Sequence, residues 1–303
     1  MSSTLAEGLA KPTGGTRNGT PGLIRFFRHE VLALASAIVI LAALGMMAFA
    51  PRISPYPEEG AGLPVVSHLL LAPSRLHPFG TDDLGRDVLS RVIFGARVSV
   101  TMGVMVTLVA IAVGVPLGAV SGFFGRWIDE AMMRITDVFL AFPPLLLAIV
   151  FASAMGRSFA NAMLAIGISW WPWYARLVRS EVLSLREQYF VDAARSIGVK
   201  DIKIILRHIL PNTLSPVIVQ ASMDIGSAIL AGAGLSFLGL GVRPPVADWG
   251  RMLSDGRVIL LSHWWVSTFP GLAIFLTVLA FNILGDALRD WFDPHMRTRR
   301  YVA

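Results

Sequence analysis

The chain has no cysteine among its 303 residues. That excludes disulfides and thiolate metal sites, and it leaves the redox compartment open. Lysine is almost as scarce: Lys11, Lys200 and Lys203 are the full complement, and none follows a glycine. A phosphate-cradling G-x-x-x-x-G-K-[ST] loop is therefore excluded, and with it ATP hydrolysis by this chain alone. There is no H-E-x-x-H, and the six histidines are scattered without ligand spacing, so no metal site is expected. Charge of either sign is thin. Charged residues make up 15% of the chain, against about 25% in soluble domains.

What fills the gap is apolar. Hydrophobic residues reach 54%, the signature of a multi-pass membrane protein. The net charge of +6 does not point to nucleic acid, because Lys and Arg collect on the cytoplasmic side of membrane proteins. Residues 1–22 are rich in Gly, Thr, Pro and Ser, so a disordered, basic tail is expected over 1–30. The first apolar run comes too late and is too long for a cleaved signal.

A membrane helix needs about 20 mainly apolar residues. Six stretches qualify: Val31–Ala50, Val98–Gly125, Val138–Gly156, Ser158–Ala175, Thr213–Leu240 and Val258–Gly285. The third and fourth are parted only by Arg157, which predicts a tight helical hairpin. Six spans put both termini on one side. With a cytoplasmic N-terminus the inside segments hold 17 Lys and Arg, and the outside segments 9. The positive-inside rule then favours cytoplasmic termini, with an external loop and amphipathic helix at 51–97, a membrane domain over 98–290 and a basic tail at 291–303. Trp170, Trp171, Trp173 and Tyr174 suit an aromatic belt at the inner interface or packing inside the bundle. Gly114, Gly118 and Gly122, four apart, suit close helix packing, although a Gly-rich chain also produces such spacing by chance.

One polar interruption, residues 184–211, falls on the cytoplasmic side. Ser184 and Glu187 fit a capping box, predicting a helix from Leu185 to Ile197. Leu185, Tyr189, Ala193 and Ile197 mark one apolar face of it. Gly198 suits a helix C-terminus. Asp201 can cap a second helix over 202–210, ended by Pro211, with Asn212 capping the next span. Such a pair either lies on anionic lipid or docks on a partner protein, with Ala193 and Ala194 allowing close approach. Arg195, Lys200 and Lys203 then face acidic partner groups, solvent or lipid.

Asp224 stands near the middle of the fifth span. An ionisable group there is costly and is by default a functional hypothesis. It either lines a pathway and meets a substrate amino group, pairs with a partner subunit, or is a structural carboxyl bonded to Ser222, Ser227 or Thr277. Gln220 and Asn282 are further pathway candidates. Externally, Thr81-Asp-Asp-Leu-Gly-Arg-Asp87 is acidic enough to suggest a cation site, but Thr81 and Asp82 fit better as caps of a helix leading to Arg97.

The interruption resembles the coupling motif of ABC importer permeases: E-A-A, three residues, G, nine residues, I, one residue, L-P. Here Asp192-Ala193-Ala194, Gly198, His208 and Leu210-Pro211 keep that spacing, with Asp for Glu and His for Ile. "HPFGTDDLGRDVLSRVIFGAR" (77–97) and "LSFLGLGVRPPVADWG" (235–250) also resemble the peptide-importer branch. The chain is thus similar to the C-type permease subunit of dipeptide, oligopeptide and nickel importers.

That resemblance implies an all-α, six-helix type I importer permease fold in the bacterial plasma membrane. It implies a second, B-type permease, two ATPase subunits that bind the ATP and Mg, and an external substrate-binding protein, with no cofactor in this chain and no nucleic acid. Asp192, Ala193, Ala194, Gly198, His208, Leu210 and Pro211 become the ATPase-docking elements. Asp82, Asp83, Gly85, Arg86 and Asp87 fall on the external face, where the binding protein docks. Peptides are the expected substrates, with nickel chelates or glutathione as alternatives within the branch. A stand-alone secondary transporter coupled through Asp224, and a membrane-bound enzyme, are the readings from other classes. No convincing internal repeat supports the first, and no cluster of nucleophile, base or metal ligands supports the second.

Overall fold

A computed structural model describes residues 22–292, which are helical throughout their ordered elements. Of the basic tails expected at 1–30 and 291–303, residues 1–21 and 293–303 lie outside the described residues. The tail expected over 1–30 is shorter than that, because α1 (Gly22–Ile53) is already helical at Gly22. No proline interrupts 23–50, and its one glycine, Gly45, does not break the helix. It kinks at Phe49 (φ −114°, ψ 16°), just ahead of Pro51, whose ring and missing N–H break the ladder. A short external helix, α2 (Pro57–Ala61), follows.

Next comes α3 (Val88–Phe124), a single helix of 37 residues. At 1.5 Å per residue it is about 55 Å long, well beyond the roughly 30 Å hydrocarbon core. The expected external helix to Arg97 and the span from Val98 are therefore one element. Its cap is Asp87, which accepts from Ser90 N at 2.7 Å. Thr81 and Asp82, expected as caps, are engaged elsewhere. Thr81 Oγ1 donates to the His68 carbonyl, and Asp82 holds Arg86.

The third expected span is broken. α4 (Arg126–Leu140) meets α5 (Pro144–Met155) at a bend of 87°. Phe142, Pro143 and Pro144 explain it, since a residue before proline is pushed out of helical geometry, and Pro143 is extended (φ −56°, ψ 127°). The hairpin into α6 (Phe159–Leu185) forms as expected, turning at Gly156 (φ +85°) with Ser158 capping through Asn161 N at 3.1 Å.

α6 runs ten residues past the expected end of its span and takes in Ser184, so the predicted capping box does not form. Two short helices, α7 (Tyr189–Ser196) and α8 (Asp201–Ile204), lead through a π-turn (Ile205–Ile209) and a 3-10 turn (Leu210–Thr213) into α9 (Leu214–Phe237). Lys200, not Asp201, sits at the cap of α8, and Thr213, not Asn212, precedes α9. Pro211 does not end the helix. In the π-turn Leu210 N reaches back to Ile205 O, a wider turn that absorbs the proline without a chain stop. α10 (Trp249–Gly256) and α11 (Trp265–Phe292) complete the chain.

Among the described residues four helical runs are long and apolar enough to cross a membrane: within α1, α3, the run into α9, and α11. The bent pair α4–α5 makes a fifth. α6 has the length, but Trp170, Trp171, Trp173, Tyr174 and Arg176 dilute its apolarity.

α3 is the central post. Its Gly114, Gly118 and Gly122 lie flush on α6. A Cβ at Gly118 would collide with the Ala175 carbonyl, and one at Gly122 would fall 2.9 Å from the Arg179 carbonyl. The small stripe is therefore a helix–helix contact, as expected where apolar lipid supplies no driving force between helices.

Candidate functional site

The elbow at residues 189–211 starts from a strong local signal. α7 ends in a Schellman arrangement: Val199 N donates to Ala194 O at 3.1 Å and Gly198 N to Arg195 O at 2.9 Å. Gly198 sits at φ +79°, where a Cβ would be strained. The elbow hangs from the bundle by its inner face. Val191, Ala194, Ile204, Ile205 and Ile209 are buried in one cluster with Phe123 of α3 and Val178 and Val182 of α6.

The outer face is the surprise. Tyr189 is 92% exposed and Ile197 80% exposed, and Ala193 between them is also exposed. The apolar face read from the sequence is real, but it points away from the chain. Of the expected docking residues, Asp192, Ala193, Gly198 and Pro211 are exposed, His208 and Leu210 are partly buried, and Ala194 is buried. Asp192 lies in the first turn of α7, where a carboxylate meets the positive helix end. Arg195 is occupied within the chain. Its guanidinium stands 5.1 Å over the Phe123 ring and 3.9 Å from Asp201.

Just above, a clamp that the sequence did not announce ties three helices. Arg179 of α6 grips Asp129 of α4 with both Nε and Nη2 (2.5 and 2.6 Å), and Ser121 of α3 donates to the same carboxylate. Arg186 Nη1 donates to Gly122 O at 2.9 Å, and Arg176 Nη2 to Asp137 Oδ1 at 2.5 Å. The only sequence clue was an unusual density of arginines along one helix.

A second site lies in the bundle. α5, α6 and α9 enclose a cavity of about 410 Å³ lined by Trp170, Trp173, Gln220, Asp224 and Ser227 among apolar residues. Gln220 Nε2 donates to Asp224 Oδ1 at 2.9 Å. Tyr174 is fully buried close to Asp224, and its hydroxyl makes no hydrogen bond. None of the hydroxyls expected to bind Asp224 does so; Ser222 Oγ donates to Val219 O instead. Asn282 does not join this site. Its amide donates to Val278 O of its own helix at 2.8 Å. The aromatic cluster divides by face: Trp171 and Tyr174 are interior, while Trp170 and Trp173 face the cavity.

The acidic stretch at residues 81–87 is a buried ionic lattice. Asp82 pairs with Arg86 at 2.8 Å and Arg91 at 3.7 Å, and Asp87 Oδ1 lies 3.0 Å from His77 Nδ1. Asp87 N donates to Glu59 at 2.7 Å. A Cβ on Gly85 (φ +77°) would run into the Val65 carbonyl. Asp83 is exposed, and partial burial together with the charge of Asp82 holds its carboxyl above the usual range. Arg91 Nη1 reaches Pro245 O at 3.2 Å, Trp249 Nε1 reaches Val92 O at 2.8 Å and Trp265 Nε1 reaches Thr81 O at 3.0 Å, binding this lattice to the second external loop. There Asp248 caps α10 and accepts from Ser99 Oγ at 2.8 Å, while burial pushes its carboxyl up. Among the described residues no three acidic or histidine side chains converge as a metal site requires.

Comparison with known proteins bears on both sites. Residues 114–298 match the family described as "Binding-protein-dependent transport system inner membrane component". The chain is 46% identical over 273 residues to the dipeptide transport system permease protein DppC of Alkalihalophilus pseudofirmus, covering 89% of this chain and 88% of the relative. It is 44% identical to the glutathione transport system permease protein GsiD of Escherichia coli O157:H7, covering 90% and 89%. It is 43% identical over 284 residues to the probable D,D-dipeptide transport system permease protein DdpC of Escherichia coli K12, covering 94% of each. Among solved structures, a chain of the MetNI methionine ABC transporter in an inward-facing conformation overlays with a TM-score of 0.55 at 16% identity. That overlay covers 67% of this chain and 96% of the other, and shows a shared fold.

Proposed function

This chain belongs to the binding-protein-dependent transport system inner membrane component family, and on that premise we propose that it forms half of the pathway of an ATP-driven importer of small peptides. It is a multi-pass inner-membrane permease component of a bacterial ABC importer; ATP hydrolysis resides in partner subunits and the chain carries no cofactor. The finer assignment is six spans with both termini cytoplasmic, α6 being the sixth. A second permease completes the pathway, and an external binding protein delivers substrate to the face bearing Asp82, Asp83, Gly85, Arg86 and Asp87.

One observation carries the coupling role: an apolar face, Tyr189–Ala193–Ile197, that is exposed while the opposite face of the same short helix is buried in the bundle. Lipid contact would leave that face dispensable to assembly, whereas docking on an ATPase subunit makes it necessary. Asp192, Ala193 and Gly198 form the docked surface, with Ala194 packed behind it, and the segment from His208 to Pro211 passes its movement into α9. The arginine clamp carries the same movement into α3 and α4.

For substrate, relatives named for dipeptide and for glutathione transport stand at similar identity. Both names describe small peptides, so the class is proposed and the individual peptide is not. The test is co-purification with the ATPase subunits after Gly198→Trp. Placing bulk at the docked elbow is expected to cost the contact about 2 kcal/mol, read as loss of the ATPase subunits and of uptake. A Gly198→Trp complex with full ATPase content and normal uptake would refute the coupling role.

A further inference from the structure

Three other buried or half-buried carboxylates discussed above have a base within reach: Asp82 has Arg86 and Arg91, Asp87 has His77, and Asp129 has Arg179; Glu59 instead accepts from the Asp87 N–H in the 51–97 segment. Asp248 is instead held by Ser99 Oγ and the Arg251 N–H in the external loop. Asp224 stands in the middle of a transmembrane helix with only an amide and a phenol beside it. Among the described residues no Lys, Arg or His nitrogen lies within ion-pair distance of it. A carboxylate at that depth without a cation is expensive, so its ionised form calls for a cation from elsewhere.

The space in front of it suits one. The cavity of about 410 Å³ is open to one side and presents Trp170 and Trp173 beside Asp224, Gln220 and Ser227. Indole faces attract cations, most strongly where water is scarce. The remaining wall, Pro144, Leu145, Ala148, Ile166 and Ala231, is apolar and offers nothing to an anion. The bend between α4 and α5 brings Pro144 and Leu145 to the rim. A negative group, two indoles, one amide and one hydroxyl in an otherwise greasy pocket match a primary ammonium attached to a small apolar-tolerant solute.

We infer that this cavity is a binding site for the protonated amine of the transported solute, with Asp224 as counter-ion, Trp170 and Trp173 as cation-stabilising walls and Gln220 holding the carboxylate in place. The inference rests on the pathway reading and sharpens it: a peptide with a free N-terminal ammonium is retained at this point, and an N-blocked peptide is not. Gln220 is a positioning residue, because its amide is already committed to Asp224 Oδ1.

The native absence of cysteine makes a direct test available. Ser227→Cys in the assembled complex is labelled with cationic methanethiosulfonate-ethylammonium or anionic methanethiosulfonate-ethylsulfonate, and modification at position 227 is read by mass spectrometry. A fixed negative charge in the cavity concentrates the cation, so its labelling should be faster by about tenfold. Adding Asp224→Asn should erase that preference. Millimolar glycylglycine should slow the cationic labelling, and N-acetyl-glycylglycine should not. Labelling by both reagents at equal rates would overturn the amine site while leaving the cavity on the pathway; it is also the result expected if a base of the second permease neutralises Asp224. Labelling by neither reagent would overturn the pathway reading itself, and the amine site with it.

Discussion

The acidic cap at residues 77–97 and the elbow at residues 189–211 each turn on a glycine with positive φ, and they use it in opposite ways. At Gly85 (φ +77°) the chain is packed so tightly that a Cβ would strike the Val65 carbonyl. At Gly198 (φ +79°) a Cβ would meet nothing within 4 Å. The first glycine belongs to a finished structure, with Asp82, Arg86, Arg91 and Asp87 buried and paired. The second belongs to an unfinished one, whose apolar residues Tyr189 and Ile197 lie open. On the proposed function this asymmetry has a reason: a cap that receives solute stays rigid, and an elbow that docks on an ATPase subunit is completed by that partner.

Substitutions can break this contrast, starting with the largest effect. Gly85→Ala adds a collision to an unfavourable backbone, and should prevent accumulation of folded chain, read as loss of monodisperse protein in detergent. Asp129→Ala leaves Arg179 without its carboxylate at a half-buried site, and should destabilise the bundle by about 2 kcal/mol, seen as a lowered unfolding midpoint together with weaker ATP-dependent uptake. Gly198→Ala carries only the left-handed backbone cost of roughly 1 kcal/mol, so its midpoint should fall by much less than that of Gly85→Ala. Asp192→Ala removes only a solvent-exposed pair with Arg195 at 4.0 Å, and its midpoint should move by less than about 1 kcal/mol while uptake falls. If Asp192→Ala and Asp129→Ala lost stability and uptake in the same proportion, the elbow would be ordinary structure and the contrast would be wrong.

Much of this was legible beforehand, and the reasons are physical. Spacing between Asp192 and Pro211 is local, so the elbow and its glycine could be read directly. The glycine stripe of α3 marks close approach because only a missing Cβ permits it. Failures came where one local signal had two meanings. Ser184 and Glu187 have capping-box spacing, yet the hydrophobic run of α6 continues through Leu185 and overrides it. Pro211 reads as a stop, yet a π-turn before it lets the helix continue. Phe142-Pro143-Pro144 did carry the bend between α4 and α5, and its meaning was available in the sequence. The clamp of Asp129 and Arg179 was not, because the two lie 50 residues apart and nothing local pairs them. For the same reason the sequence placed Asp224 at depth but could not supply its neighbours Gln220, Tyr174 and Trp170 as one cavity.

The docked elbow is best tested by a single cysteine at its most exposed apolar contact. Ile197→Cys is labelled with a maleimide in the full complex and again after the ATPase subunits have been stripped away, with Leu261→Cys on the fully exposed external loop as reference. The account predicts that position 197 is protected in the full complex and becomes reactive on removal of the ATPase subunits, while position 261 reacts alike in both. Equal reactivity of position 197 in the two states would contradict it.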